Sequence, residues 1–307
     1  MAAGTGLIIE AVDYTTIRNK IIAIMGTSAD LGTGQNGYGQ ILRSSAVAAG
    51  NQVTKAQWDN LRYDILNARI HQDGVVPTIV TATQGQPIRY GAGHPNNQYN
   101  TQADTAVANK WNIGTGQFVI DAATSATRTT AWNTSLTATV TVTFNSADEA
   151  RYFFNSGSKI RCTSSRTGGT GSPQNSSWSN ILDSAGTVAF GGNTSGLNFY
   201  NLTNSYQTFY LLTASAPYYS GSQYRIEVVS NVADNSIGGA TQLIFRVTWT
   251  DSYTYTGSGS SSFPDNIDGT LTLTVDELRA SGTLQPLGTG PFVLTRPGYS
   301  ISGISGS

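Results

Sequence analysis

The sequence predicts a mixed fold: a small N-terminal helical unit followed by a mainly β domain, arranged as an antiparallel β-sandwich. Three observations predict it. Residues 1–75 hold twelve of the 35 charged residues (17 basic and 18 acidic) and carry a helix-period apolar pattern. From about residue 131 onward a two-residue apolar period takes over. The polar positions of that second part are filled by Ser, Thr, Asn and Gly, so the chain of 307 residues is only 11% charged, against about a quarter in an average domain.

The first helix opens near Asp13, whose carboxylate can cap the free amides of the next turn. It runs through Ile17, Ile21, Ile24 and Met25 and stops at Gly26. The second opens with Thr54-Lys55-Ala56-Gln57, a capping box in which Gln57 reaches back to the Thr54 amide. Trp58, Leu61, Ile65 and Ala68 then form one apolar stripe, and Gly74 ends it. The glycine-rich run Gly32–Gly39 between them reads as loop. Such a small helix pair buries too little surface to stand alone. It is expected to pack on copies of itself, on a partner, or on the chain's own β domain.

Residues 76–130 read as an extended bridge. In it Val75–Val80 looks extended, Gln84–Asn100 reads as loop, Ala103–Trp111 as a short helix and Gln117–Ile120 as a short strand. Residues 131–307 form the β domain. In Leu136–Phe144 apolar residues occupy the even positions and Thr the odd ones, the mark of a half-buried strand. Tyr224/Ile226/Val228, Leu243/Phe245/Val247/Trp249 and Leu271/Leu273/Val275 repeat the pattern, and Tyr219–Tyr224 supplies a hairpin turn. One helix interrupts, from the capping box Ser146-Ala147-Asp148-Glu149 to Gly157. No repeat of fixed period argues for a propeller or solenoid.

Composition excludes several classes. One cysteine, Cys162, cannot form an internal disulfide, and with two histidines, His71 and His94, it cannot make up a zinc site without carboxylates. A net charge of −1 argues against nucleic acid or an anionic membrane as partner. The N-terminus lacks the basic region and apolar run of a secretory signal. No phosphate-cradling motif occurs, and no cofactor or metal is expected.

Glycan-cleaving chemistry needs two facing carboxylates. The candidates are Asp148, Glu149, Asp251, Asp265, Asp268, Asp276 and Glu277. The capping box explains the first two, while Asp276 and Glu277 are expected at an exposed strand end. Phe263–Gly269 has an Asp-Gly turn but not the alternating oxygen ligands of a calcium loop. Cys162 lies in a strand pattern and reads as a small buried hydrophobe rather than a nucleophile. The Asn-x-Ser/Thr triplets at Asn133, Asn175, Asn193 and Asn201 match chance in so polar a chain. The segment Cys162–Trp178 reads as a long loop. In it Gln174, Asn175 and Trp178 are candidate glycan contacts, with Trp178 as an anchor to the sheet being the alternative.

The stretches Gly32–Gln40, Trp58–Asp64 and Ala68–Gly74, together with Arg161–Gly169 and Ser172–Trp178, resemble virion structural proteins of tailed bacteriophages, most closely those of marine cyanophages with contractile tails. The resemblance implies a virion location in tail, neck or fibre, a non-enzymatic role, and assembly with itself and other virion proteins. A trimer is common among fibres, but the copy number stays open. On this reading Ile17, Ile21, Trp58, Leu61 and Ile65 form the oligomerisation and attachment surface, and the β domain projects or packs between subunits. The alternative is a carbohydrate-binding module that recognises a host surface glycan.

Overall fold

A computed structural model describes residues 11–25, 42–73, 77–81, 95–109, 118–192, 196–215, 219–235, 238–254, 265–280 and 295–306. The glycine-rich run 32–39, Gly26, Gly74, His94 and the start of the chain lie outside them.

Among the described residues the helical unit has three members: α1 (Ala11–Met25), α2 (Lys55–Asp73) and α3 (Pro95–Ala108). The Thr54 box forms at the head of α2, where the Thr54 amide donates to Gln57 Oε1 at 2.8 Å and the Gln57 amide to Thr54 Oγ1 at 3.3 Å. In α3, Pro95 stands in the first turn, where its missing N–H costs nothing, and Tyr99, Ala103 and Ala106 line one buried face. The expected short helix Ala103–Trp111 covers only the second half of α3. Its start at Pro95 overturns the loop expected to run to Asn100, because the Asn- and Gln-rich composition there masked the helix.

Trp58 is the hub of this unit. Its ring meets Tyr14 edge-on at 5.3 Å and Tyr99 at 5.0 Å, so one side chain joins all three helices. Ile17, Ile21, Leu61 and Ile65 complete the core, each no more than 2% exposed. The five residues expected to form an oligomerisation surface therefore face inward. A third helix satisfies the apolar stripes that the sequence left without a partner.

Polar contacts fix the periphery. Lys20 bridges to Asn100 and Asp104 of α3. The fully buried Asp64 accepts the backbone amides of Arg43 and Ser44 at 2.9 and 2.8 Å, which ties segment 42–50 to α2. Burial raises the Asp64 pKa above its ordinary value.

The expected bridge over 76–130 divides between the two parts. Ile79 is buried in the helical core, and its carbonyl accepts Arg62 Nε at 2.7 Å. Phe118–Arg128 is instead β1, eleven residues long, far beyond the short strand ending at Ile120.

The β domain comprises two antiparallel sheets. Further strands are β2 (Ser135–Thr143), β3 (Lys159–Thr167), β4 (Thr187–Phe190), β5 (Gln207–Thr213), β6 (Gln223–Ser230), β7 (Gln242–Thr250), β8 (Thr270–Ala280), β9 (Gly298–Ile301) and β10 (Ser305–Gly306). One sheet has the order β1-β8-β3-β4. The other runs β10-β2-β7-β6-β5, with β9 also on β2. Their inward side chains merge into one core, with Leu136–Val142 of β2, Leu243–Trp249 of β7 and Leu271–Val275 of β8 all contributing alternate residues. The predicted mixed fold, helices followed by a β-sandwich-like domain, is what forms.

Two helices connect strands. In α4 (Ala147–Asn155) Ser146 caps as expected, accepting the Glu149 amide at 3.2 Å, while Glu149 Oε2 takes the Asn145 amide rather than that of Ser146. The chain leaves α4 through Gly157 at φ 82°, a left-handed turn that glycine adopts without strain.

α5 (Pro173–Ala185) overturns the expected long loop. Cys162–Thr167 is strand and Gln174–Trp178 is helix, leaving a short link between them. The start signal was legible: Ser172 accepts the Asn175 amide as N-cap and Pro173 opens the first turn.

Trp58→Ala should destabilise the helical unit by about 3–5 kcal/mol, the range for deleting a buried large aromatic. Hydrogen-exchange mass spectrometry should then show faster exchange across α1, α2 and α3. Unchanged protection there would show that Trp58 does not join them.

Candidate functional site

A dense cluster of buried polar side chains lies where the first turns of α5 meet the loops after β7 and before β8. Gln174, Asn175 and Trp178 are all at most 1% exposed. Each is spent on the chain itself.

Asp251, at the end of β7, accepts Gln174 Nε2 at 2.7 Å, Trp178 Nε1 at 3.3 Å and Ser222 Oγ at 3.0 Å. Gln174 also receives the Asn266 amide at 2.6 Å. Asn175 exchanges bonds with Asp268, accepting its amide and donating to its carboxylate. The Trp178 ring packs edge-on against Trp132 at 4.8 Å, and Trp132 pairs through its backbone with Ile267. These three side chains do not reach a surface where a sugar could stack. The anchoring reading of Trp178 describes its place in the structure.

Asp268 tightens the same corner. Its carboxylate accepts the Thr170 amide at 3.0 Å, and its carbonyl accepts Arg166 Nε at 2.7 Å. The Thr170 amide, the Asn175 side chain and the nearby Arg166 guanidinium hold its pKa below the ordinary value. Gly269, at φ 91°, follows it. A Cβ there would stand 2.6 Å from the Thr167 carbonyl oxygen, so the turn needs glycine. Asp268-Gly269 is thus a structural turn, and among the described residues no group of three His, Cys, Asp or Glu could hold a metal.

The sheet register separates Asp276 from Glu277. Asp276 points outward, half-buried, and pairs with Arg161. Glu277 occupies the next inward position of β8 after Leu271, Leu273 and Val275, and it is fully buried. It accepts Arg296 Nε at 2.6 Å and the Tyr299 hydroxyl at 2.8 Å, with Arg279 at 3.5 Å. Arg279 in turn bonds Asp121 of β1 at 2.8 Å. The expectation that both acids are exposed fails because the inward face of β8 extends one step beyond its apolar run. Burial, then the nearby Glu277, raises the Tyr299 pKa, keeping it a neutral donor.

Asp251 and Asp265 come close enough that the Asp265 charge adds to the burial that raises the Asp251 pKa. Both oxygens of Asp251 are already engaged by Gln174, Trp178 and Ser222. Cys162 is buried within the core and burial pushes its thiol up to about 12, so it stays protonated and unreactive. The side chains of Asp148 and His71 lie outside what the structure describes.

Sequence reading missed Ser222, Arg296 and Tyr299 as partners of buried acids. No local signal marks them, since the partners are 19 or more residues away in the chain. No protein-family model, curated protein or solved structure matches this chain.

Because burial raises the Asp251 pKa, the folded chain holds that proton more tightly than the unfolded chain does. Its contribution to stability is therefore lost as pH rises through the raised value. Asp251→Asn cannot ionise. The wild-type advantage in Tm over Asp251→Asn should shrink as pH rises above the ordinary carboxyl value of about 4. A difference independent of pH would show that Asp251 does not titrate differently on folding.

Proposed function

We propose that the chain is a non-enzymatic structural component of a phage virion, built to assemble with copies of itself and with neighbouring virion proteins. The virion assignment rests on the resemblance carried by residues 32–40, 58–64, 68–74, 161–169 and 172–178. The observation that supports an assembly role is the chemistry of the sheet faces.

On the outward face of the β1-β8-β3-β4 sheet, Ser125, Thr274, Thr163 and Thr187 form one row across all four strands. Thr127, Thr272 and Ser165 form the next. On the other sheet Thr137 and Thr248 stand opposite one another, and the central charges pair as Glu227 with Arg246 at 2.8 Å. Such faces carry few unbalanced charges, so a second surface can approach without like-charge repulsion or the desolvation of lone ions. Hydroxyls bond equally to amides, carbonyls and other hydroxyls, which suits a broad contact between protein subunits.

The helical unit attaches through side chains other than those of its core. Val12 of α1 is 60% exposed and Tyr63 of α2 44%, and Arg43 and Arg62 lie over the Tyr63 ring at 5.1 and 5.8 Å. An exposed aromatic flanked by two guanidinium groups is the composition favoured in protein interfaces.

Sedimentation of the purified chain should give a homo-oligomer, and Val12→Asp with Tyr63→Glu should weaken association about tenfold or more without loss of helical signal. Antibody against the chain should decorate the tail, neck or fibres of intact particles. A strictly monomeric chain that labels no particle would overturn the proposal.

A further inference from the structure

We propose that segment 295–306, which carries β9 and β10, is an exchangeable strand that a second copy of this chain can supply. The proposal deepens the assembly reading above and rests on it. Its basis is that the receptor for this segment is complete without any contact local in sequence.

Three separate elements form the receptor. β2 provides the strand edge: Val140–Thr143 pair with β9, and Leu136 and Thr137 pair with β10. Between the two strands, the Ser302 amide donates to the Thr139 carbonyl at 2.9 Å and Ser302 Oγ accepts the Thr139 amide at 2.8 Å. β8 provides Glu277, which receives both Arg296 and Tyr299. β1 provides the Ala122 carbonyl, which accepts Arg296 Nη2 at 2.8 Å. Ile304 closes the contact from within the core.

This receptor requires an occupant. Without Arg296 and Tyr299, Glu277 loses the two closest donors to its buried carboxylate, a costly state for an acid in an apolar sheet face. Without β9 and β10, β2 becomes a long edge strand of alternating Thr and apolar residues, which invites pairing with other chains. The occupant must bring an arginine and a tyrosine three positions apart, then a serine and an isoleucine, with glycine at the site of Gly306. A Cβ at Gly306 would stand 2.0 Å from the Ser135 carbonyl oxygen. This chain's own segment satisfies all of these requirements, and so does the same segment of a second copy.

The receptor cannot tell the two apart, because every bond is the same in both arrangements. Only the tether discriminates. Residues 281–294 separate β8 from the segment, and these 14 positions can span at most about 50 Å. That reach makes a neighbouring receptor accessible once copies are held side by side, since local concentration then favours both partners comparably. Exchange of an identical element is a low-cost route to linking copies.

The test uses full-length chains. Thr139→Cys and Ser302→Cys are made as separate variants, mixed, assembled and oxidised. A double variant serves as the control for geometry. Mass spectrometry of an interchain 139–302 disulfide in the mixture is the expected result. Adding Arg296→Ala to the Ser302→Cys chain, which removes one hold on the segment, should raise the rate of interchain linkage about tenfold.

If the double variant links within the chain and the mixture gives no interchain link while the protein still sediments as an oligomer, exchange is overturned and the assembly reading survives. A monomer that links only within the chain overturns both. Failure of the double variant to link at all overturns the pairing of the segment with β2 from which the proposal is drawn.

Discussion

The β domain depends on the shared apolar core between its two sheets. Leu243, Phe245, Val247 and Trp249 of β7 and Leu271, Leu273 and Val275 of β8 are at most 3% exposed, and each such burial contributes roughly 1.5–3 kcal/mol. The two-residue period of these strands is what lets one face enter the core while the other keeps its Thr hydroxyls outside. A slip of one residue in register would place the Thr row inside and the apolar row in water. Everything placed at the sheet edges inherits its position from this alternation, including the α5 corner and the Glu277 cluster.

Given that core, the few charges of the chain are used with unusual economy. Glu277, Asp251, Asp64 and Glu227 are all buried, and each is met by donors drawn from distant segments. A buried acid contributes little net stability, yet removing one of its partners is expensive. Such groups therefore act as fasteners that specify which loop meets which strand. Asp251 and Asp268 fasten α5 to the loops around β7 and β8, Glu277 fastens segment 295–306, and Asp64 fastens segment 42–50 to α2. The carboxylates of Asp251, Asp268 and Glu277 accept from the chain itself, whereas glycoside chemistry needs two that face a substrate.

The functional reading follows from where polarity is spent. Buried acids hold the molecule together from within. On the outward sheet faces, rows of hydroxyls stand beside charges that are paired, such as Arg161 with Asp276 and Glu227 with Arg246. A surface of this kind is neutral, hydrogen-bonding and broad. The helical unit, its apolar stripes already consumed by the meeting of three helices at Trp58, offers Val12 and Tyr63 outside.

The sequence by itself determined the elements whose signals are local. The Thr54–Gln57 box, the Ser146 cap, the alternation of β2, β6, β7 and β8, and the division into a helical and a β part could all be read from neighbours in the chain. Buried Cys162 was also legible, because its place in an alternating strand decides its environment. The Ser172-Pro173 start of α5 was readable too, but glycines around it suggested a loop.

Tertiary structure alone decided the rest. Whether Ile17, Ile21, Trp58, Leu61 and Ile65 face a partner or their own chain turned on α3, whose apolar face lies in a polar, Asn- and Gln-rich stretch. Whether Trp178 with Gln174 and Asn175 meets a sugar or a loop turned on Asp251 and Asp268, 73 and 93 residues away from the side chains they bind. Glu277 follows Asp276 in sequence, yet the pleat sends one outward to Arg161 and the other inward to Arg296 and Tyr299. Local sequence sets the period of an element, but the partner that fills each inward position arrives from far along the chain, and only folding brings it there.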